Sequence, residues 1–218
     1  MAITINGTSN TVTGLAAGGL PDNTIDNGSM ADDAIGVAEL SATGTASSST
    51  FLRGDNSWAA PAAGGITYAD QWRISANFTA AAEPVTANWE RIDGTAQGTL
   101  GSAMTVSSGV FTFPATGIWY VAWNVGFGST EHNQWVQIHI DTSANAGVSW
   151  SEMAYAWTDI YHETATHYTS ASTNTLMDVD DVSNVKCRFS IQNQHNPTYQ
   201  GTTNSNATWA TFIRLADT

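Results

Sequence analysis

Five histidines and one cysteine are the residues of this 218-residue chain best suited to hold a metal or activate a nucleophile: His132, His139, His162, His167, His195 and Cys187. Their spacing does neither. No two histidines stand as a helical His-x-x-x-His pair, and Cys187 lies on an apolar alternation, so zinc is not implied. The histidines read as polar surface residues. "MDVDDVSN" brings Asp178, Asp180 and Asp181 to one turn. It lacks the glycine and the closing glutamate of an EF-hand, so the expected role is an Asp capping backbone amides. No Gly-x-Ser-x-Gly elbow places a serine, and no carboxylate pair is recognisable as a glycosidase couple. The sequence therefore predicts no enzyme, no catalytic residue, no cofactor and no metal.

The richest chemistry lies in "NQHNPTYQGTTNSNA", residues 193–207. Asn193, Gln194, His195, Asn196, Gln200 and Asn204 offer paired donors and acceptors around one aromatic ring, Tyr199. Amides suit sugar hydroxyls and a ring face suits a sugar ring. Two readings stand side by side, a glycan-contacting loop and an exposed polar connection between strands. "FLRGDNSWAAP" (residues 51–61) contains Arg53-Gly54-Asp55, a triplet also known as an adhesion signal. Gly allows positive φ, and Asp and Asn bond locally to the backbone, so a turn is expected.

The elements that must position these residues divide the chain unequally. Of 9 Trp, 6 Tyr and 7 Phe, only Phe51 and Trp58 precede Pro61. Residues 1–50 carry isolated aliphatics, Ile3, Ile5, Val12, Leu15 and Leu20 among them, too few to offset the entropy of ordering a separate domain. They read as an extended arm that lies on something else. Ile3 and Ile5 alternate with polar residues, which suits a strand added to another protein's sheet. A Gly/Ala/Ser/Pro-rich joint covers 51–65. From 66 to 218 the pattern is of short strands without a convincing helix. Trp119, Val121, Trp123, Val125 and Phe127 form one face of a strand whose opposite face, Ile118, Tyr120 and Ala122, is also apolar. Val136, Ile138 and Ile140 form a second alternation, and Val185, Cys187, Phe189 and Ile191 a third. Trp209, Thr211, Ile213 and Leu215 form the last. Eight to ten strands imply an all-β sandwich or jelly roll.

Net charge is −13 with only 11% charged residues. That excludes a basic surface for nucleic acid or anionic membrane. One cysteine permits no intrachain disulfide, no apolar run reaches membrane length, and "MAITINGTSN" is unlike a signal peptide. Synthesis and folding in a cytoplasm are expected.

"SSGVFTFPATGIWYVAWNVGF", followed in order by "HYTSASTNTLMDVDDVSNVKCRFSIQ" and "TTNSNATWATFIRLAD", resembles the jelly roll of the complement C-one-q and tumour-necrosis-factor (TNF) superfamily. The likeness spans about residues 66–217. It implies a TNF-like jelly-roll head and a homotrimer, with Tyr120, Tyr168 and Phe212 as interface candidates. "GGLPDNTIDNGSMADDAIGVAEL" and "FLRGDNSWAAP" resemble connector phrases of bacteriophage fibre proteins. Together the likenesses imply a structural virion protein made in the host cytoplasm. Its arm would anchor to other virion proteins of tail or capsid through Ile3, Ile5, Val12, Leu15 and Leu20. Its trimeric head would project and bind a host-surface glycan. The alternatives are a capsid head fibre or decoration protein, and a secreted adhesin or lectin-like module outside phages.

Overall fold

A computed structural model describes residues 4–6, 8, 11–13, 36, 40–61, 65–161 and 165–218. The chain divides into two compact units, Met1–Gly64 and Gly65–Thr218. Every regular element among the described residues is a β-strand.

In the first unit, β1 (Thr4–Asn6) pairs antiparallel with β2 (Thr11–Thr13), which sets Ile5 opposite Val12. The expected extended strand is thus already paired within its own chain. Ile3, Leu15 and Leu20 lie outside the described residues. The Gly/Ala/Ser/Pro-rich joint contains a second hairpin, β3 (Phe51–Leu52) with β4 (Trp58–Ala59). Arg53-Gly54-Asp55 forms its turn. Arg53 N donates to Ser57 O at 2.9 Å and Asn56 N to Arg53 O at 3.0 Å. Asp55 Oδ1 accepts from the Ser57 hydroxyl at 2.6 Å, and Asn56 takes the left-handed conformation with φ 58°. Local bonding of this kind is the reason such residues are favoured in turns.

The second unit, the head, is a sandwich of two antiparallel sheets. Its strands are β5 (Tyr68–Ile74), β6 (Phe78–Thr79), β7 (Trp89–Arg91), β8 (Thr105–Ser107), β9 (Val110–Thr112), β10 (Gly117–Ser129), β11 (Asn133–Ser143), β12 (Ser151–Ile160), β13 (His167–Val179), β14 (Lys186–Asn193), β15 (Thr198–Tyr199) and β16 (Trp209–Ala216). One sheet runs β6-β15-β10-β16-β5-β7, with β13 on the other edge of β10; the second runs β12-β11-β14-β9-β8. The thirteen residues of β10 make it the hub. β13 covers one of its edges throughout, while β16 and then β15 share the other.

Inward side chains of the two sheets fill the space between them. Trp119, Val121, Trp123, Val125 and Phe127 are 0–1% exposed, and so are Val136, Ile138, Ile140, Cys187, Phe189 and Ile191. The rings interlock, with Phe111 5.1 Å from Phe212 and Trp123 5.0 Å from Phe189. Phe212, expected at a subunit interface, is instead a core residue at 0% exposure. Register explains the correction, because Phe212 pairs with Val121 and therefore shares its inward phase. The outward phase of β16 is Trp209, Thr211 and Ile213. The β8–β9 turn needs positive φ at Ser108 and Gly109, as two-residue hairpins do. A β-carbon at Gly109 would stand 2.3 Å from Val85 O.

The outward side of the β10 sheet carries a row of apolar residues across four strands. Tyr120 lies between Leu176 and Ile213, and Ile213 lies beside Ala69. Leu176 is 59% exposed, and the other three are half-buried.

Candidate functional site

The two ends of β10 differ in what surrounds them. Near its start, Trp119 pairs with Arg214, which pairs with Tyr68 at the head's first strand. At its finish, Gly128 and Ser129 form one wall of a cleft of about 560 Å³. A rise of about 3.3 Å per residue puts these poles on the order of 30 Å apart.

The cleft's other walls come from Asn77, the 129–131 turn, Tyr168 at the start of β13, and the loop 194–200. That loop is held by named bonds rather than by apolar packing. His195 N donates to Asn133 Oδ1 at 2.9 Å, and Gln134 N donates to Gln194 Oε1 at 2.9 Å. Gln200 N donates to Gly126 O at 2.8 Å, and Gly201 N to Asn77 Oδ1 at 2.8 Å. Asn133 is fully buried, so the pin under His195 is shielded from competing water, which makes its loss costly.

Four of the seven loop candidates line the cleft: Gln194, His195, Asn196 and Gln200. Tyr199 does not. Its ring is fully buried, stacked 4.9 Å from Phe78, and burial pushes its phenol above the ordinary tyrosine pKa. β15 turns this side chain inward because it pairs with Phe127, a core position. Asn193 sits beneath the loop. With its amide oxygen toward the donors, it accepts from the Tyr199 hydroxyl at 2.9 Å and from Ala81 N at 3.0 Å. Asn204 is exposed but outside the lining.

The aromatic wall is Tyr168, which is 70% exposed and packs against Gly128. The sequence reading put Tyr168 at a subunit interface and missed Asn77, Ser129, Thr130 and Glu131 altogether. Gly126-Phe127-Gly128-Ser129 was the available signal, since small residues closing an aromatic strand leave room above it. Among the described lining residues Glu131 is the one carboxylate, and no lysine or arginine occurs. Amides, hydroxyls, an imidazole and one phenol ring face the opening, a set suited to an uncharged, hydroxyl-rich ligand.

Elsewhere His139 proves to be buried at 6% exposure rather than on the surface. His139 Nδ1 lies 3.0 Å from Asp141 Oδ1. Asp141 Oδ2 accepts from Arg188 Nε at 2.9 Å and from the Ser190 hydroxyl at 3.0 Å. Burial tends to raise the Asp141 pKa, but the bonds from His139, Arg188 and Ser190 outweigh it and hold the carboxyl below its ordinary value. Serine and histidine both address the aspartate and not each other, so this is no nucleophile relay. At the "MDVDDVSN" turn, Asp181 Oδ1 accepts from Ser183 N at 2.7 Å and Oδ2 from Asn184 Nδ2 at 2.8 Å.

No family model and no curated protein matches the sequence. Solved structures do. Eiger TNF from S. frugiperda superposes with a TM-score of 0.53 at 11% identity, over 70% of this chain and 95% of that one. The head has a TNF-like jelly-roll fold. Murine APRIL agrees, with a TM-score of 0.50 at 9% identity over 68% of this chain and 98% of its own. At these identities the likeness is one of fold. In this TNF-like head the cleft belongs to the pole opposite the strand by which the chain enters.

Proposed function

We propose that the chain is a structural protein of a bacteriophage particle, a trimeric spike or fibre whose head presents the cleft to a host-surface glycan. The observation that carries this reading is the polarity of the head. Its first strand begins at one pole, and the polar cleft with Tyr168 opens at the other, so a ligand taken there is bound at the pole opposite the start of that strand. Trimer formation is supported by the TNF-like fold and by the row Leu176, Tyr120, Ile213 and Ala69 on an outward sheet face. An apolar row crossing four strands is better covered than solvated. Met153, 49% exposed, borders Leu176 at the sandwich edge. Residues 1–50 serve as the virion anchor in this reading, and no catalysis is assigned to the cleft.

Deletion of residues 2–50 tests the division of labour. The truncated chain should sediment as a trimer with an unchanged melting temperature and be missing from purified particles. Added in excess to host cells, it should still block adsorption by intact particles. Incorporation of the truncated chain into particles, or no competition for adsorption, overturns the proposal.

A further inference from the structure

Beside the cleft, the outward face of the second sheet carries a run of three aromatic rings, two exposed and one, Trp135, half-buried. Trp157 and Tyr155 are 56% and 57% exposed, on successive outward positions of the edge strand β12. Their ring centroids are 6.4 Å apart, close to the spacing of like-facing residues on a strand. Trp135 of β11 stands 5.6 Å from Trp157. One end of the run adjoins the cleft wall through the main chain, for Gln194, a cleft residue, donates its backbone N–H to Trp135 O at 3.3 Å. Core aromatics of this head are buried, so rings turned to solvent in a row are a departure from its own pattern.

Polar groups flank the rings. Glu152 has a side chain 39% exposed and accepts from Gln137 Nε2 at 3.1 Å. Arg188, a cation of this sheet, is occupied by Asp141 and lies 4.4 Å over the Trp150 ring. Among the described residues the face therefore offers ring surfaces and the Glu152 carboxylate, with no uncommitted positive charge. That chemistry fits the apolar C–H faces and hydroxyls of uncharged sugars and disfavours sulfated or carboxylated ones.

We infer that the ligand is an uncharged polysaccharide engaged over several residues, one in the cleft and the following ones along Trp135, Trp157 and Tyr155. The inference rests on the glycan reading of the cleft and adds the length and charge class of the chain. Each ring contact is weak, but contacts along one polymer act at high effective concentration, so the track raises affinity for polymer without raising it for the isolated sugar.

The full-length chain is run by affinity electrophoresis through gels containing mannan, galactan or dextran, with polygalacturonate and heparin as charged comparators. Trp157→Ala and Tyr155→Ala report the track; Tyr168→Ala combined with His195→Ala reports the cleft. Retardation by an uncharged polymer is expected, weakened at least tenfold by either track variant, with melting unchanged because both rings are exposed. The polymer's own monosaccharide should bind wild type and Trp157→Ala equally in an NMR titration. Retardation that survives both track variants but is lost in the cleft variant overturns the track and leaves the cleft. Retardation by charged polymers alone overturns the uncharged class. No retardation by any polymer overturns track and cleft reading together.

Discussion

Tyr168 packs on Gly128 so closely that a β-carbon on the glycine would stand 2.7 Å from two carbons of the tyrosine ring. Glycine there is what lets the ring settle at the cleft wall. Gly128→Ala should swing the tyrosine away, since an exposed side chain yields more readily than backbone. A crystal structure of Gly128→Ala is expected to show a changed Tyr168 rotamer with both sheets intact. A ring left in place would show that some other contact positions it.

Acid should weaken the head through Asp141. Its folded-state pKa is lowered, so its contribution to stability is complete above the unfolded value and is lost as pH falls through the folded one. The melting temperature is expected to drop below about pH 4, the ordinary aspartate range. Asp141→Asn should flatten that drop. Asp141→Ala leaves Arg188 and His139 without their buried partner and should cost about 3 kcal/mol at neutral pH, measurable by urea titration.

Cys187 should behave as a hydrophobic core residue. It is fully buried, and burial raises its thiol pKa well above the ordinary range. The reactive thiolate is therefore both scarce and inaccessible. Labelling by a disulfide reagent at neutral pH should be negligible in the native protein and complete in guanidinium. Rapid native labelling would place the strand β14 elsewhere.

Two aromatic substitutions should separate assembly from folding. Tyr120→Asp puts a carboxylate into the outward apolar row, where, in the proposed trimer, desolvation without a partner costs several kcal/mol at each interface. Sedimentation should then report monomers of near-native circular dichroism. Phe212→Ala empties a core position instead and should cost about 3–5 kcal/mol of folding stability. The reverse pattern would exchange the assignments of the two residues.

The alternations over 119–127, 136–140 and 185–191 were legible in the sequence because a strand between two sheets must repeat every two residues. Phase was harder. Nothing within 209–215 alone says whether Trp209 and Ile213 or Ala210 and Phe212 face inward; the pairing of Phe212 with Val121 decides it. The loop 193–207 was legible as polar, yet its ring Tyr199 belongs to the core, since β15 joins the end of β10. Tyr168 and Asn77 reach the cleft by long-range pairing that sequence spacing does not encode. His139 was misplaced for a related reason, because its cover comes from residues of two neighbouring strands.

The position of Tyr68 beside Arg214 has a bearing on variation and on engineering. The two ends of the β-domain leave from one pole, so the turn at 129–134 and the loop at 193–200 can be exchanged as a cassette without disturbing how the domain is joined to its arm. Their mutual pins, Asn133 with His195 and Gln134 with Gln194, mean that the two segments must be exchanged together. A reporter protein grafted after Asp217 would ride at the pole where the head's first strand begins, leaving the cleft's pole unobstructed.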